Sequence, residues 1–314
     1  QYLPTVGGVE RYTFNLARRC AEAGHRVRVV ASALPGLPDT ETDAYGIRVI
    51  RLPAWPLLGG RFPALLPGKA RALAQRELWA APPDFCLINT RFYPASVWAA
   101  RQCRRRGIPA AVVEHGSAYL MTGPAPVRLA GMAYEHLAAR LVYRWIPRFY
   151  GVSGACCRWL EHFGIRAEGC LYNAVDPDEL RTLVQSAQVD WRERLGLAAE
   201  TPLIVYAGRI LPEKGAETLA DALPAIRKAV PGAAVVLVGD GPLRAVLAAR
   251  KQPELYLPGA APYADTLALL DQADVFCMPS RSEGFSCTVL EAAALECPIV
   301  TTATGGSTEL ITGP

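Results

Sequence analysis

Apolar residues at Val9, Tyr12, Leu16 and Cys20 recur at helical spacing, and Gly24 follows as a stop signal. The chain is therefore expected to open on a helix with no strand before it. "RVRVVAS" (26–32), "FCLINT" (85–90), "IPAAVVEHG" (108–116) and "FYGVS" (149–153) read as strands. A helix is expected over 95–106 and another from the end of "FYGVS" to about Gly164, while prolines and glycines break the pattern between 34 and 84. The second half is more regular. "LIVYAGRI" (203–210), "AAVVLVGDG" (233–241), "LYLPGA" (255–260), "DVFCMPS" (274–280) and "PIVTT" (298–302) are apolar runs, each separated from the next by a helical segment. Such alternation predicts parallel sheets covered on both faces, so both halves read as doubly wound, Rossmann-like α/β domains. Turn residues cluster in "LYNAVDPDEL" (171–180), which divides the chain into 1–176 and 177–314. Ligands of these sheets bind at the carboxyl ends of the strands, so the informative residues are those just after each strand.

A length of 314 residues fits two domains, and 51% hydrophobic residues suffice for two cores. No apolar run is long enough to cross a bilayer. The opening "QYLPTVGG" lacks a charged region followed by an apolar one, so no signal peptide is expected in it. Nine cysteines, none in a C-x-x-C pair, are expected to be reduced and mostly buried, in a cytoplasmic setting. Charge is uneven. Residues 1–176 hold 22 Lys and Arg against 12 Asp and Glu, a net +10, whereas 177–314 carry a net −6. The two halves are thus suited to different partners, and no recognised nucleic-acid module accompanies the basic half.

Several post-strand segments carry candidate chemistry. Gly7 and Gly8 precede the first helix, whose N-terminus suits an anion, although a glycine turn there is more often structural than a site. His115 directly follows a strand and can donate a hydrogen bond to an oxygen of a reacting pair, whereas His25, His136 and His162 fall in helices or turns. In "AGRILPEKG" (207–215), Arg209 and Lys214 flank a helix start and make a grip for a pyrophosphate. "VGDGPLR" (238–244) places Gly239 and Gly241 after a strand, but Arg244 stands where a third glycine would complete a dinucleotide fingerprint. Nicotinamide binding is therefore not expected, though a nucleotide can still pass close. Glu283 and Gly284 lie in the next loop. Ser286 is a plausible N-cap, and Glu291 sits one to two turns into the helix it starts. Carboxylates accept paired hydrogen bonds from vicinal hydroxyls, so one acid on the loop and one on the helix can hold two sugar rings of one ligand, with Gly305, Gly306 and Glu309 beyond the next strand.

Taken together, Gly7-Gly8-Val9-Glu10, His115-Gly116, "GVS" (151–153), "YNAVD" (172–176), "GRILPEKG" (208–215), "VGDGP" (238–242), "SEGFSCTVLEAAALECPIV" (282–300) and "GGSTELI" (305–311) resemble glycosyltransferase family 4, the retaining group 1 enzymes of GT-B fold. The resemblance spans nearly the whole chain, and Glu283 and Glu291, eight positions apart, are its most specific part. It implies two Rossmann-like domains facing across a cleft. It also implies a nucleotide-sugar donor, UDP- or GDP-linked, held mainly by the second domain, with no metal and no other cofactor. By resemblance, Arg209 and Lys214 neutralise the diphosphate, Glu291 holds the ribose, and Glu283 contacts the sugar. Gly239, Gly284, Gly305 and Gly306 face the donor, His115 sits at the anomeric centre, and Gly7-Gly8 close over the phosphates.

Two departures accompany the resemblance. The family's strand before the Gly-Gly turn is missing, and so are its final strands and helices, so the chain is expected to be an interior piece with an exposed sheet edge. The basic first domain is expected to take a glycan or lipid-linked acceptor. Its "RQCRRRG" (101–107) and "ARLVYRWIPRFYG" (139–151) suggest peripheral contact with the inner face of a membrane. Two further readings stand beside transfer: a non-catalytic sugar-nucleotide-binding subunit, and a sugar-nucleotide epimerase of the same fold.

Overall fold

The computed structural model describes residues 2–4, 7–57, 62–120 and 124–313, which form two compact units, 1–172 and 173–314. The division falls inside the turn-rich stretch 171–180.

The second unit alternates strand and helix throughout. Helices α6 (Pro177–Ala187) and α7 (Trp191–Leu195) precede β10 (Leu203–Ala207), and the first unit supplies the lower numbers given below. A 3-10 turn (Pro212–Lys214) and α8 (Ala216–Ala229) lead to β11 (Ala234–Val238), then α9 (Leu243–Ala249) and β12 (Leu255–Gly259). Then come α10 (Tyr263–Asp271), β13 (Val275–Met278), α11 (Cys287–Ala294), β14 (Ile299–Thr301) and α12 (Ser307–Leu310). The five strands pair in parallel in the order β12-β11-β10-β13-β14, with Leu203 opposite Ala234 and Val205 opposite Phe276. Every residue of β11 is buried, as its unbroken "AVVLV" requires of a strand covered on both sides. Side chains alternate between two cores. Val205, Ala207, Val236 and Val238 pack with Trp191, Leu267 and Phe276 on one face, while Tyr206, Val235 and Leu237 pack with Leu219 and Leu223 of α8 on the other. Asp176 caps α6 by accepting from Asp178 N and Glu179 N, with Pro177 at the first helical position.

The first unit contains α1 (Gly8–Glu22), β1 (Arg28–Ser32), β2 (Thr40–Thr42), β3 (Arg48–Leu52), the hairpin β4 (Ala54–Leu57) and β5 (Phe62–Leu65), and α2 (Lys69–Trp79). It continues with β6 (Cys86–Asn89), α3 (Pro94–Arg106), β7 (Ala110–Glu114), α4 (Ala125–Trp145), β8 (Phe149–Gly151), α5 (Gly154–Glu161) and β9 (Gly169–Cys170). Strands β6-β7-β8-β9 form one parallel ladder, and β1-β3-β2 form a second sheet. Among the described residues no ladder joins β1 to β6. Strand β3 is the main element that the sequence pattern concealed. Its "RVIRL" carries two arginines, yet Arg51 is 1% exposed because its guanidinium bonds Glu41 and the Pro38 carbonyl. A second correction concerns the cysteines. All nine are unbonded, but only Cys103, Cys156 and Cys297 are buried, and the other six are half-buried.

Candidate functional site

The order of the second sheet reverses at β10, because β11 and β12 lie on one side and β13 and β14 on the other. Ligands of open α/β sheets bind outside the carboxyl ends of the strands at such a switch point. The loops leaving β10 and β13 meet there. Lys214 Nζ stands 2.7 Å from Glu283 Oε2, and Ser280 Oγ donates to Glu283 Oε1 at 2.7 Å. Arg281 N donates to the Glu213 carbonyl at 2.8 Å, fixing the same two loops through their backbones. Two residues that the sequence assigns separate tasks, a phosphate cation and a sugar-binding acid, are thus each other's partner. Arg209 is exposed on the β10 loop and makes no ion pair among the described residues.

The glycines explain how these loops come so close. Gly239 has φ +133°, and a Cβ there would lie 1.9 Å from the Gly208 carbonyl oxygen. A Cβ on Gly241 would lie 2.4 Å from the Ile210 oxygen, and one on Gly215 2.1 Å from the Pro279 oxygen. Gly305, at φ +56°, would meet the Glu283 and Gly284 oxygens at 2.5 Å, while Gly306 N donates to Gly284 O at 2.8 Å. Close backbone packing between neighbouring loops accounts for Gly239 and Gly305, and the Phe285 ring, 2.6 Å from a Cβ at Gly306, accounts for that glycine, without any ligand.

Ser286 caps α11 by accepting from Val289 N. Glu291, in the second turn of that helix, is only 5% exposed, and Tyr263 Oη donates to its Oε1 at 2.8 Å. Tyr263, the first residue of α10, was not singled out by the sequence pattern; its place directly beyond β12 is the signal that could have found it.

In the first unit, Glu114 closes β7 and His115 follows. His115 Nε2 is 2.8 Å from Asn89 Oδ1, and Asn89 Nδ2 donates to Thr13 Oγ1 at 2.9 Å. The Tyr12 ring meets the imidazole edge-on, with centroids 4.8 Å apart. Burial pushes the His115 pKa down to about 3, so the ring is neutral at working pH. Beneath the loop lies a buried ionic triad. Arg91 Nη1 bonds Glu114 Oε2 at 2.6 Å and Arg91 Nη2 bonds Glu135 Oε2 at 2.8 Å, with exposures of 0%, 0% and 2% for Arg91, Glu114 and Glu135. The remaining oxygens pin the segment 115–120 that follows β7. Glu114 Oε1 accepts from His115 N and Gly116 N, and Glu135 Oε1 accepts from Leu120 N. None of Arg91, Asn89, Thr13 and Glu135 was a sequence candidate.

Gly7 caps α1 with extended backbone, and its carbonyl accepts from Arg11 N. A Cβ on Gly7 would stand 2.3 Å from Glu10 Oε2, so a carboxylate shares this helix end with any incoming phosphate. Gly8, the first helical residue, is exposed.

The family model described as Glycosyltransferase Family 4 matches residues 6–179, and that described as Glycosyl transferases group 1 matches 201–313. The chain is 34% identical to the GDP-mannose-dependent alpha-(1-6)-phosphatidylinositol monomannoside mannosyltransferase of Mycobacterium tuberculosis, over 98% of this chain and 80% of that protein. It is 39% identical to the putative teichuronic acid biosynthesis glycosyltransferase TuaC of Bacillus subtilis, over 38% of this chain and 29% of that protein. Among solved structures, sucrose-phosphate synthase of Thermosynechococcus elongatus superposes with a TM-score of 0.73 at 21% identity, covering 96% of this chain and 77% of that one. Anabaena HepE in complex with UDP-glucose gives a TM-score of 0.70 at 20% identity, covering 99% and 81%. These likenesses establish the fold as the GT-B type of two Rossmann-like units. With family models matching 6–179 and 201–313 and a mannosyltransferase 34% identical over 98% of this chain, the chain belongs to glycosyltransferase family 4, the group 1 glycosyl transferases.

Proposed function

We propose that this chain is a retaining, metal-independent glycosyltransferase, moving a sugar from a nucleotide-diphosphate donor to an acceptor hydroxyl. The observation that carries this reading is the Lys214–Glu283 pair at the switch point, with the exposed Arg209 on the same loop. Cleavage of the anomeric C–O bond sends its electron pair to the diphosphate. Lys214, held by Glu283, and the exposed Arg209 are the cations that stabilise the developing charge. The acceptor oxygen bonds the anomeric carbon on the face the diphosphate leaves, and its proton passes to the departing phosphate oxygen. Glu291, steadied by Tyr263, is the group for the ribose hydroxyls, and Glu283, paired with Lys214, is the group for the sugar. His115 is the first unit's candidate for a role at the reacting sugar. The mannosyltransferase relative is named for GDP-mannose and HepE was solved with UDP-glucose, so UDP- and GDP-sugars are the donors to test first.

The acceptor is a glycan or a lipid-linked glycan. Support comes from the outer side of α3 and α4, where Arg101, Arg104, Arg105, Arg140 and Arg144 are exposed beside Leu129 and Leu137, which are 61% and 58% exposed. That mixture suits peripheral contact with an anionic membrane surface from the cytoplasmic side. No helix among the described residues is long and apolar enough to cross a membrane. Liposome co-sedimentation tests the contact, and binding that ignores anionic lipid content removes its motive.

The main test is a binding screen of UDP-, GDP- and ADP-sugars on wild type, Lys214→Ala and Glu291→Ala. Both variants are expected to lose donor affinity, and unchanged binding contradicts the site. Release of free nucleoside diphosphate only when acceptor is present separates transfer from epimerisation and from binding without turnover.

A further inference from the structure

His136 and His162, to which the sequence pattern gives no task, meet at one atom in the first unit. Tyr119 Oη stands 2.9 Å from His136 Nε2 and 2.5 Å from His162 Nε2. His136 lies on α4, His162 is the C-cap of α5, and Tyr119 belongs to the segment 115–120 after β7, so three separate elements supply the cluster. Aromatic packing fixes the rings. His162 stacks on Trp159 with centroids 5.1 Å apart and planes 9° from parallel. His136 lies against Phe163 at 4.7 Å, and Tyr119 meets Trp159 edge-on at 5.0 Å. The backbone is tied as well, since Leu120 N, next to Tyr119, donates to Glu135, the neighbour of His136. Both histidines are exposed, so an ion from solvent can reach them.

A phenolic oxygen carries one proton, so it donates to one Nε2 and accepts from the other. Two imidazole nitrogens aimed at a single point, each within about 1 Å of the roughly 2.1 Å that a nitrogen–zinc bond needs, are equally two ligands of a tetrahedral ion. Among the described residues no three His, Cys, Asp or Glu side chains converge in this way, so the third protein donor has to be the tyrosine. We propose that His136 Nε2, His162 Nε2 and Tyr119 Oη bind one divalent transition ion of the class that imidazole favours, Zn2+, Cu2+ or Ni2+, with water completing its shell. On binding, the ring that donated from Nε2 moves its proton to Nδ1, which water serves on an exposed side chain, and the phenol gives its proton to solvent. Mg2+ and Ca2+, which take oxygen ligands, are not expected there. The ion staples the segment 115–120 to α4 and α5. Its role is structural, and transfer at the loops of the second unit stays metal-independent.

The test is a Zn2+ titration of the full chain labelled with 15N-histidine, read by long-range proton–nitrogen correlation spectra, which report imidazoles and not the nine cysteines. His136 and His162 are assigned by the signals lost in His136→Gln and His162→Gln. One equivalent of Zn2+ is expected to shift both Nε2 signals together and to leave His25, another exposed histidine, unmoved. Signals that stay in place, or that move only in step with His25 at excess Zn2+, overturn the site. Calorimetric titration then weighs each ligand against the cysteines, which all variants share. Each Gln variant and Tyr119→Phe is expected to weaken Zn2+ binding by at least about 10-fold, the least that even an outer partner of a metal ligand is worth, while His25→Gln matches wild type. With Cu2+, a phenolate-to-copper charge-transfer band is expected in wild type and not in Tyr119→Phe. Unweakened binding by Tyr119→Phe, or a band that survives in it, overturns the tyrosine's part.

Discussion

Replacing Arg91 by methionine removes the cation that bridges two carboxylates with almost no access to water. Glu114 keeps its bonds to His115 N and Gly116 N, and Glu135 keeps Leu120 N, so each retains part of its solvation. Stripping one partner from a buried ion network still costs about 3–5 kcal/mol. For a unit of this size that corresponds to a fall in Tm of about 10 °C or more. Burial already holds the Glu135 carboxyl above its ordinary pKa, partly offset by Leu120 N–H and by Arg91. Without Arg91 it rises further, so the variant takes up protons as pH falls and recovers part of its loss. Urea unfolding of the full chain, followed by tryptophan fluorescence, reads this directly, since Trp159 lies 6.0 Å from the guanidinium. The deficit is expected to be larger at pH 8 than at pH 5. The triple change Arg91→Met, Glu114→Gln, Glu135→Gln is expected to be more stable than Arg91→Met alone, because it leaves no buried charge. A deficit below about 1 kcal/mol at pH 8 would refute the reasoning, since buried carboxylates cannot lose their counter-ion so cheaply.

Three further outcomes follow from the geometry. The His115 pKa, depressed to about 3, means that the unfolded chain binds a proton below pH 6.5 that the folded chain refuses; stability should drop by about 1.4 kcal/mol per pH unit below that point, and His115→Phe should flatten the slope in acid-denaturation curves. Gly215→Ala puts a Cβ on the Pro279 oxygen at φ +78°, and should cost about 2 kcal/mol or more together with donor affinity, whereas an unchanged melting curve would show that the β10 and β13 loops are not packed as described. Glu283→Gln leaves Lys214 without its neutralising partner, so free nucleoside diphosphate should bind tighter by about 1 kcal/mol, roughly fivefold, while transfer slows; weaker binding by calorimetry contradicts that account.

The second unit was legible from its sequence because β10, β11 and β13 are unbroken apolar runs ending in glycine or proline, and because Ser286 announces α11. Strand β3 was hidden by Arg48 and Arg51, whose charges are absorbed by Glu77, Glu41 and a backbone carbonyl that no local pattern reveals. The candidate residues of the β10 and β13 loops could be found by position, since each follows a strand. Their mutual pairing could not, because Lys214 and Glu283 are 69 residues apart. Asn89 was within reach of the same rule, being the last residue of β6, but an asparagine carries no signature until its partners are known. Arg91 carries no signature among the cations of the basic half, and only the fold brings it onto the two acids it joins, 23 and 44 residues away.

The backbone interlock of Gly208 with Gly239, Ile210 with Gly241, Pro279 with Gly215, and Glu283 with Gly305 has a bearing on how this enzyme can diversify. Adding or deleting a residue in any one of these turns would push its neighbours out of step, so length variation there is closed to natural drift and to the engineer alike. New sugar preferences have to come from swapping individual side chains along the rim, over a chassis that stays the same.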